Sequence, residues 1–482
     1  MRKENSFVGD ILTLSSAPIV SQILGILVTP IITRMFAPEA FGLATIFGSI
    51  VMIPAALATM GYSAAIILPK SDSEAKRILL ICFISTILIS LGTFFIILFS
   101  KNYIAEALNS PDLLKYLWLT PFFVFLHGTY MTLRFWKTRN MNFKNITASR
   151  ISEILAKKGY QISAGFSGFT GSGSLIYSDL FSGILKVLIL TKGLTSDIFD
   201  FSKNTYKKLI NSALTYKKFP QFSVWSDLLS RLPAVIISIF IIKYFGQDVL
   251  GNYGLSLMIL SIPSVIFSSA IVEAFSPRVA MAKYENNHIE LLENLLIKVF
   301  SITIFPFILL AIYSDELLPF VFSSEWAIAG VITQILALKI FFEILMSPIL
   351  PVIDVINKQE LHFIRMSLSV IISLCAWFIA IYLNNFYAVL WFLVIMESLV
   401  MLSVSIYVLK SLQFNFLKNL LYVFKCISIC SLLALPLILM EIFLSLSMTQ
   451  IFLVILMSLF LYLTFLFFSD EEISQFIKNF LT

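Results

Sequence analysis

Charge is scarce in this chain. Only 13% of its 482 residues are Asp, Glu, Lys or Arg, about half the ~25% of a soluble globular domain. With 59% hydrophobic residues, a water-soluble enzyme would lack the polar groups to cover its surface, so that class is excluded. Histidine and cysteine are scarce too, with three and four copies. Cys82, Cys375, Cys426 and Cys430 lie inside apolar runs, with no CxxC spacing and no histidine nearby. They read as buried thiols and not as disulfide or zinc ligands. There is no GxxxxGK[ST], HExxH or GxSxG, so no ATP-driven domain and no zinc-hydrolase or serine-hydrolase site is expected. No metal or cofactor is expected either. Also missing is any segment long enough for a sizeable extramembrane domain.

What is present is apolar sequence in lengths that suit a bilayer. A spanning helix needs about 20 apolar residues. Fourteen candidate spans fall between charged punctuation: Ile11–Thr33, Phe41–Leu68, Ile78–Ser100, Tyr116–Leu133, Ile146–Ser167, Ser174–Thr191, Phe219–Ile242, Leu250–Val272, Leu291–Tyr313, Ile328–Ile353, Met366–Leu383, Tyr387–Leu409, Phe416–Leu439 and Met448–Phe468. The polar start, Met1–Asp10, leads straight into the first and reads as the lead-in to a span, not as a cleaved signal peptide. The fifth is the most polar, carrying Arg150, Glu153, Lys157 and Lys158.

Lys and Arg set the orientation. One set of alternate loops, counted with the first turn of each span, holds 22 of the 34, the opposite set holds 4, and 8 lie deeper inside spans. By the positive-inside rule the richer set is cytoplasmic, and so are both termini. The net charge of +6 therefore reflects loop bias and not a nucleic-acid partner.

The chain also repeats itself. Phe36–Pro54 aligns with Phe245–Pro263 without gaps; Phe36/Phe245, Gly42/Gly251, Ile50/Ile259, Ile53/Ile262 and Pro54/Pro263 are identical, and Glu39 meets Asp248. Both segments fall at the outer turn between the first two spans of a half. An even number of spans separates them, so the copies share one orientation, the parallel-repeat arrangement of many transporters. The expected organisation is an N-terminal lobe over residues 1–195 (spans 1–6), a linker over 196–218, a second lobe over 219–411 (spans 7–12), and residues 412–482 with spans 13 and 14 and a tail. The fold class is all-α and membrane-integral: two six-helix lobes plus a C-terminal pair. The basic linker reads either as a segment lying on anionic headgroups or as a substrate-capturing one.

Ionisable residues at membrane depth carry the functional signal, because each costs about 2.5–3.5 kcal/mol at a helix centre. Beyond the first turn of each span, eight bases (Arg150, Lys157, Lys158, Lys186, Arg231, Lys298, Lys339 and Lys425) face five acids (Glu153, Asp179, Asp227, Glu343 and Glu397). Arg150, Lys298 and Lys425 sit near span ends, within snorkelling reach of the interface. Glu153/Lys157, Asp227/Arg231 and Lys339/Glu343 are spaced four apart and either neutralise themselves or share a ligand. Arg150, Glu153, Lys157 and Gln161 form one polar stripe down span 5, a face that must meet water or a polar ligand. The basic excess suits an anion such as phosphate, which Arg grips bidentately. Arg231, Lys157, Lys158, Lys339 and Lys186 are thus the candidate cationic cavity. Asp179 and Glu397 are candidate ion-coupling acids. His127 reads as a hydrogen-bonded core residue or a proton relay.

The opening Ser15-Ser-Ala-Pro18 through Pro30-Ile-Ile-Thr-Arg34-Met-Phe-Ala-Pro-Glu39-Ala-Phe-Gly42 carries a family resemblance. So do Tyr216-Lys-Lys-Phe-Pro220, Leu229-Ser-Arg-Leu-Pro233, Phe245-Gly246 and Gly251-Asn-Tyr253. On these motifs the chain resembles the polysaccharide or O-antigen flippases of the multidrug/oligosaccharidyl-lipid/polysaccharide exporter superfamily. The resemblance implies two lobes around a cationic cavity in a bacterial inner-membrane protein that is a transporter and not an enzyme. It also implies an undecaprenyl-diphosphate-linked glycan moved from the cytoplasmic to the periplasmic leaflet, ion coupling, and contact with membrane lipids and other polysaccharide-assembly proteins. Two alternatives stand beside it. A drug or small-molecule antiporter shares the fold but favours a carboxylate-rich pocket. A glycan polymerase or ligase would present a large outer loop, whereas the longest here is Lys101–Lys115.

Overall fold

The computed structural model describes residues 22–192, 205–264, 288–356, 358–412, 414 and 448–469, with 428, 430, 432 and 435 singly. The described residues are helical, with no strand among them. The helices used below are α1 (Gln22–Thr33), α2 (Pro38–Leu57), α3 (Asp72–Ala107), α4 (Thr120–Arg139), α5 (Phe143–Phe166), α6 (Ser172–Thr191), α7 (Thr205–Thr215) and α8 (Val224–Ser264). They continue with α9 (His288–Phe322), α10 (Ala327–Met346), α11 (Glu360–Leu383), α12 (Phe386–Ser411) and α13 (Met448–Ser469).

Among the described residues, nine helical stretches are long and apolar enough to cross a membrane. They match spans 2, 3, 6, 9 to 12 and 14, with spans 7 and 8 run together. Spans 4 and 5 are present as α4 and α5 but are more polar. Span 1 is described only from Gln22, and span 13 lies outside the described residues. Spans 7 and 8 read as one stretch because α8 continues through Gly246, whose φ of 92° and ψ of 176° are non-helical. A left-handed φ is open to glycine at little steric cost, so the chain turns there and two helices meet end to end.

Local chemistry sets the ends. Pro38 opens α2, where a missing N–H costs nothing. Ser71 caps α3 by accepting from the Glu74 N–H at 3.4 Å, half of a Ser-x-x-Glu capping box. At the end of α5, the Phe169 N–H donates to the Ala164 carbonyl at 2.9 Å and Gly168 has φ +80°. This is a Schellman ending, so the Gly165–Gly173 run is a tight helix connection.

The chain divides into two compact units. The first comprises Met1–Gly254 with Ser373–Phe386, the second Leu255–Ile372 with Tyr387–Thr482. The first unit has cores between α3 and α4 (Ile78, Leu79, Cys82, Trp136) and between α1, α2 and α6 (Ile32, Phe36, Leu175). In the second, Phe305 and Tyr313 of α9 pack on Ile451 and Tyr462 of α13. Large apolar side chains also point outward, such as Phe99 of α3 at 84% exposed, as a helix bathed in lipid requires. This corrects the reading of Cys375: it is exposed on α11 beside exposed Leu374 and Phe378. An apolar run in a membrane protein is satisfied by lipid as well as by a core. Cys82 and Cys430 are buried.

The two aligned segments meet inside the first unit. A Cβ on Gly42 would lie 1.9 Å from the Gln247 carbonyl oxygen, and one on Gly251 would lie 1.8 Å from that of Pro38. Each glycine touches the residue four positions before the other. Such reciprocity, i on j and j on i, is the mark of a two-fold contact. It gives the Gly42/Gly251 identity a physical meaning: the α2 and α8 backbones cross where neither can carry a side chain.

Within the expected linker, α7 is tied to the first unit. Arg77 Nε donates to Ser212 Oγ at 3.1 Å, Tyr62 donates to the Ala213 carbonyl at 3.1 Å, and Tyr216 donates to Glu74 at 3.3 Å. Burial and the Glu74 carboxylate push the Tyr216 phenol up from its ordinary value. Lys207 and Lys208 are exposed, as are Tyr206, Ile210 and Leu214, a mixture suited to a headgroup layer. Residues 193–204 lie outside the described set.

Candidate functional site

Helices α5 and α6 form a hairpin whose facing sides carry most of the membrane-depth charge. Lys186 of α6 reaches Glu153 of α5 at 2.8 Å, and Lys157 of α5 pairs with Asp179 of α6. The pairing is therefore between helices: Glu153 and Lys157, four apart on one helix, each take a partner on α6. A lysine stem is long enough for either choice, and a shared partner across the hairpin also clamps the two helices. One turn along, Gln161 donates to Ser178 at 3.0 Å. The Lys186 ammonium also sits 3.7 Å from the ring centre of Tyr130 on α4, a cation–π contact that steadies it between two elements.

Lys158 faces another way. It is 9% exposed and donates to Thr29 of α1 at 3.1 Å. Its amine lies outside these ion pairs, against a neutral hydroxyl.

On α8, Arg231 Nε donates to both oxygens of Asp227, each at 3.2 Å. Among the described residues, no hydrogen bond engages the two terminal nitrogens of the guanidinium. His127 of α4 lies within electrostatic range of Arg231, Lys186 and Asp227.

The ion pairs are not sealed. Lys157 and Asp179 are 34% and 40% exposed, and Arg231 and Asp227 are 28% and 44%. Lipid contact with such groups costs several kcal/mol, so their open sides face water. In this set four bases (Lys157, Lys158, Lys186, Arg231) stand against three acids (Glu153, Asp179, Asp227).

The remaining candidates lie in the second unit. Lys339 is half-buried on α10. Glu397 of α12 is half-buried and accepts a hydrogen bond from Ser369 of α11. The sequence placed the charged residues at membrane depth but not their neutral partners. Thr29, Tyr130 and Ser178 are ordinary helix residues with no spacing signal.

A protein-family model described as "Polysaccharide biosynthesis protein" matches residues 31–331. The teichuronic acid biosynthesis protein TuaB of Bacillus subtilis (strain 168) is 30% identical over 146 residues, an alignment spanning 30% of each chain. Among solved structures, the chain is similar to the lipid II flippase MurJ in an inward closed conformation (TM-score 0.70, 16% identity, 95% of this chain and 99% of that one). It is also similar to an inward-facing multidrug resistance MATE family transporter of the MOP superfamily (TM-score 0.64, 14% identity, 84% and 98%). At these identities the likeness is one of fold alone.

Proposed function

The chain belongs to the family of polysaccharide biosynthesis proteins, and we propose that it is a flippase for undecaprenyl-diphosphate-linked oligosaccharide, moving it from the cytoplasmic to the outer leaflet. One observation carries this reading. The charged groups on α5, α6 and α8 are partly open at membrane depth, and they include an arginine whose terminal nitrogens are engaged by no hydrogen bond among the described residues. A diphosphate is the part of such a lipid that most needs compensating charge in the membrane, and an arginine fork matches phosphate oxygens. Asp227 holds Arg231 while the site is empty and gives way to the substrate. Lys157 and Lys186, already paired, set the field around it. Lys158, buried beside α1, acts on the substrate through that field.

The test is deletion of the gene followed by analysis of lipid-linked glycans. Loss of surface polysaccharide with complete repeat units trapped on the cytoplasmic leaflet is the expected result. Unfinished repeat units would point to a glycan polymerase or ligase instead.

The 22-to-4 split of loop Lys and Arg supports cytoplasmic termini in a bacterial inner membrane. It predicts that a cysteine at Ser323, with the native cysteines removed, reacts with an impermeant thiol reagent in intact cells while one at Ser202 does not. The reverse labelling would overturn the orientation. Coupling to an ion gradient is assigned to Asp179 or Glu397, the acids that lie on the two units. Gradient-dependent export that persists unchanged in both Asp179→Asn and Glu397→Gln would remove both from that role.

A further inference from the structure

The turn end of the α5–α6 hairpin lines an open-mouthed cavity of about 590 Å³, within the roughly 300–1,000 Å³ range of small-molecule sites. It is separate from the ion pairs and of different character. Its walls come from the last turns of α5, the glycine-rich turn, the first turns of α6 and Tyr116 before α4. Tyr116, Tyr160, Tyr177 and Phe169 supply aromatic surface, Ser163 and Ser174 supply hydroxyls, and no charged side chain contributes.

A sugar ring presents the same two kinds of surface in complement, apolar C–H faces and hydroxyl edges. Tyr116 and Tyr177 stand edge to face at 6.3 Å, and Tyr160 is backed by Phe181 at 6.0 Å, so the rings are held as fixed platforms. The Ser163 and Ser174 hydroxyls donate to the backbone carbonyls of Tyr160 and Phe169, at 2.9 and 2.7 Å. Their oxygens are left as acceptors. Among the described residues, no hydrogen bond within the protein engages the three phenols, which are free to donate and to accept. An acyl chain would need none of these groups, and a charged ligand would find no counter-ion.

Position completes the argument. Tyr160 follows Lys157 by three residues on α5, on the same face. At 1.5 Å per residue, the wall runs about 15 Å from Lys157 to Ser167 at the helix end. That length takes the first sugars of a glycan whose diphosphate lies beside the ion pairs. We propose that this cavity is a neutral-glycan subsite, binding the sugars nearest the diphosphate by stacking and hydroxyl contacts. The proposal rests on the flippase reading and adds where specificity for the sugar resides.

The experiment uses the full-length protein in nanodiscs and two probes: undecaprenyl diphosphate, and the same lipid carrying an N-acetylglucosamine disaccharide. Wild-type protein should bind the glycosylated probe about tenfold more tightly. The Tyr160→Ala/Tyr177→Ala variant should bring the two Kd values within about twofold while the Kd for bare undecaprenyl diphosphate stays unchanged. If that variant fails to fold, Tyr160→Leu, which keeps bulk and removes the aromatic face, carries the same expectation. Equal affinities in the wild type, or a preference that survives these substitutions, would overturn the subsite. A wild type that binds neither probe would overturn the flippase reading itself.

Discussion

Arg231→Ala is expected to abolish export of the lipid-linked glycan while the protein still reaches the membrane in normal amount. The Arg231 side chain is 28% exposed, and among the described residues its guanidinium is bonded through Nε alone, to Asp227. Its two terminal nitrogens are therefore available to a ligand, and they are the pair that grips phosphate oxygens side by side. Arg231→Lys keeps the charge but loses the fork, so partial export is expected. The competing account makes Asp227–Arg231 a structural pair. It predicts that Arg231→Ala lowers abundance, because a lone carboxylate is left at membrane depth. It also predicts that Asp227→Asn with Arg231→Gln restores both abundance and export. Full export from that charge-free double variant, measured as surface polysaccharide against membrane protein level, would remove Arg231 from substrate binding.

The second large effect is expected at the crossing of α2 and α8. A methyl group on Gly42 or Gly251 would sit within 2 Å of a backbone carbonyl oxygen. Backbone cannot rotate aside as a side chain can, so the helices must separate. Overpacking a well-fitted contact costs roughly 1–3 kcal/mol, and a backbone clash belongs at or above the top of that range. Gly42→Ala and Gly251→Ala should each lower thermal stability in detergent and reduce export. Gly48→Ala on α2 is the control: its Cβ would meet nothing within 4 Å, and alanine is the better helix former. Because the contact is reciprocal, the two single variants should resemble each other. A melting temperature for either that matches the Gly48→Ala protein would mean that the crossing is not the tight two-fold contact described.

The two kinds of site differ in how far the sequence announces them. Membrane helices are legible because bilayer thickness fixes a length and hydrocarbon fixes a composition. The charges of α5 stand out for the same reason, as expensive exceptions to that composition. Which charge meets which is another matter. Spacing of four offers Glu153 a partner in Lys157 on its own helix, yet the hairpin places Lys186 and Asp179 within equal reach. Nothing local decides between them. Thr29 and Tyr130 carry no signal at all, since threonine and tyrosine are ordinary in membrane helices. Gly42 and Gly251 lie between these cases: aligned in the sequence they are one identity among five, and only the crossing reveals why both lack a side chain. Cys375 teaches the converse lesson, that an apolar neighbourhood in sequence does not separate core from lipid. The aromatic and hydroxyl cavity was hidden for a further reason. Its lining is gathered from a turn and three helix ends, and the glycine-rich turn by itself reads only as a connection.

Translocation by the purified protein tests the central claim most directly. The protein is reconstituted in liposomes with undecaprenyl-diphosphate-linked oligosaccharide confined to one leaflet, under an imposed ion gradient. An impermeant glycan-cleaving enzyme is then added on the opposite side. The account predicts cleavage at a rate set by the amount of protein, falling to the protein-free background with Arg231→Ala. Cleavage by wild-type protein at background rate, with the lipid-linked glycan altered in length instead of moved, would contradict it.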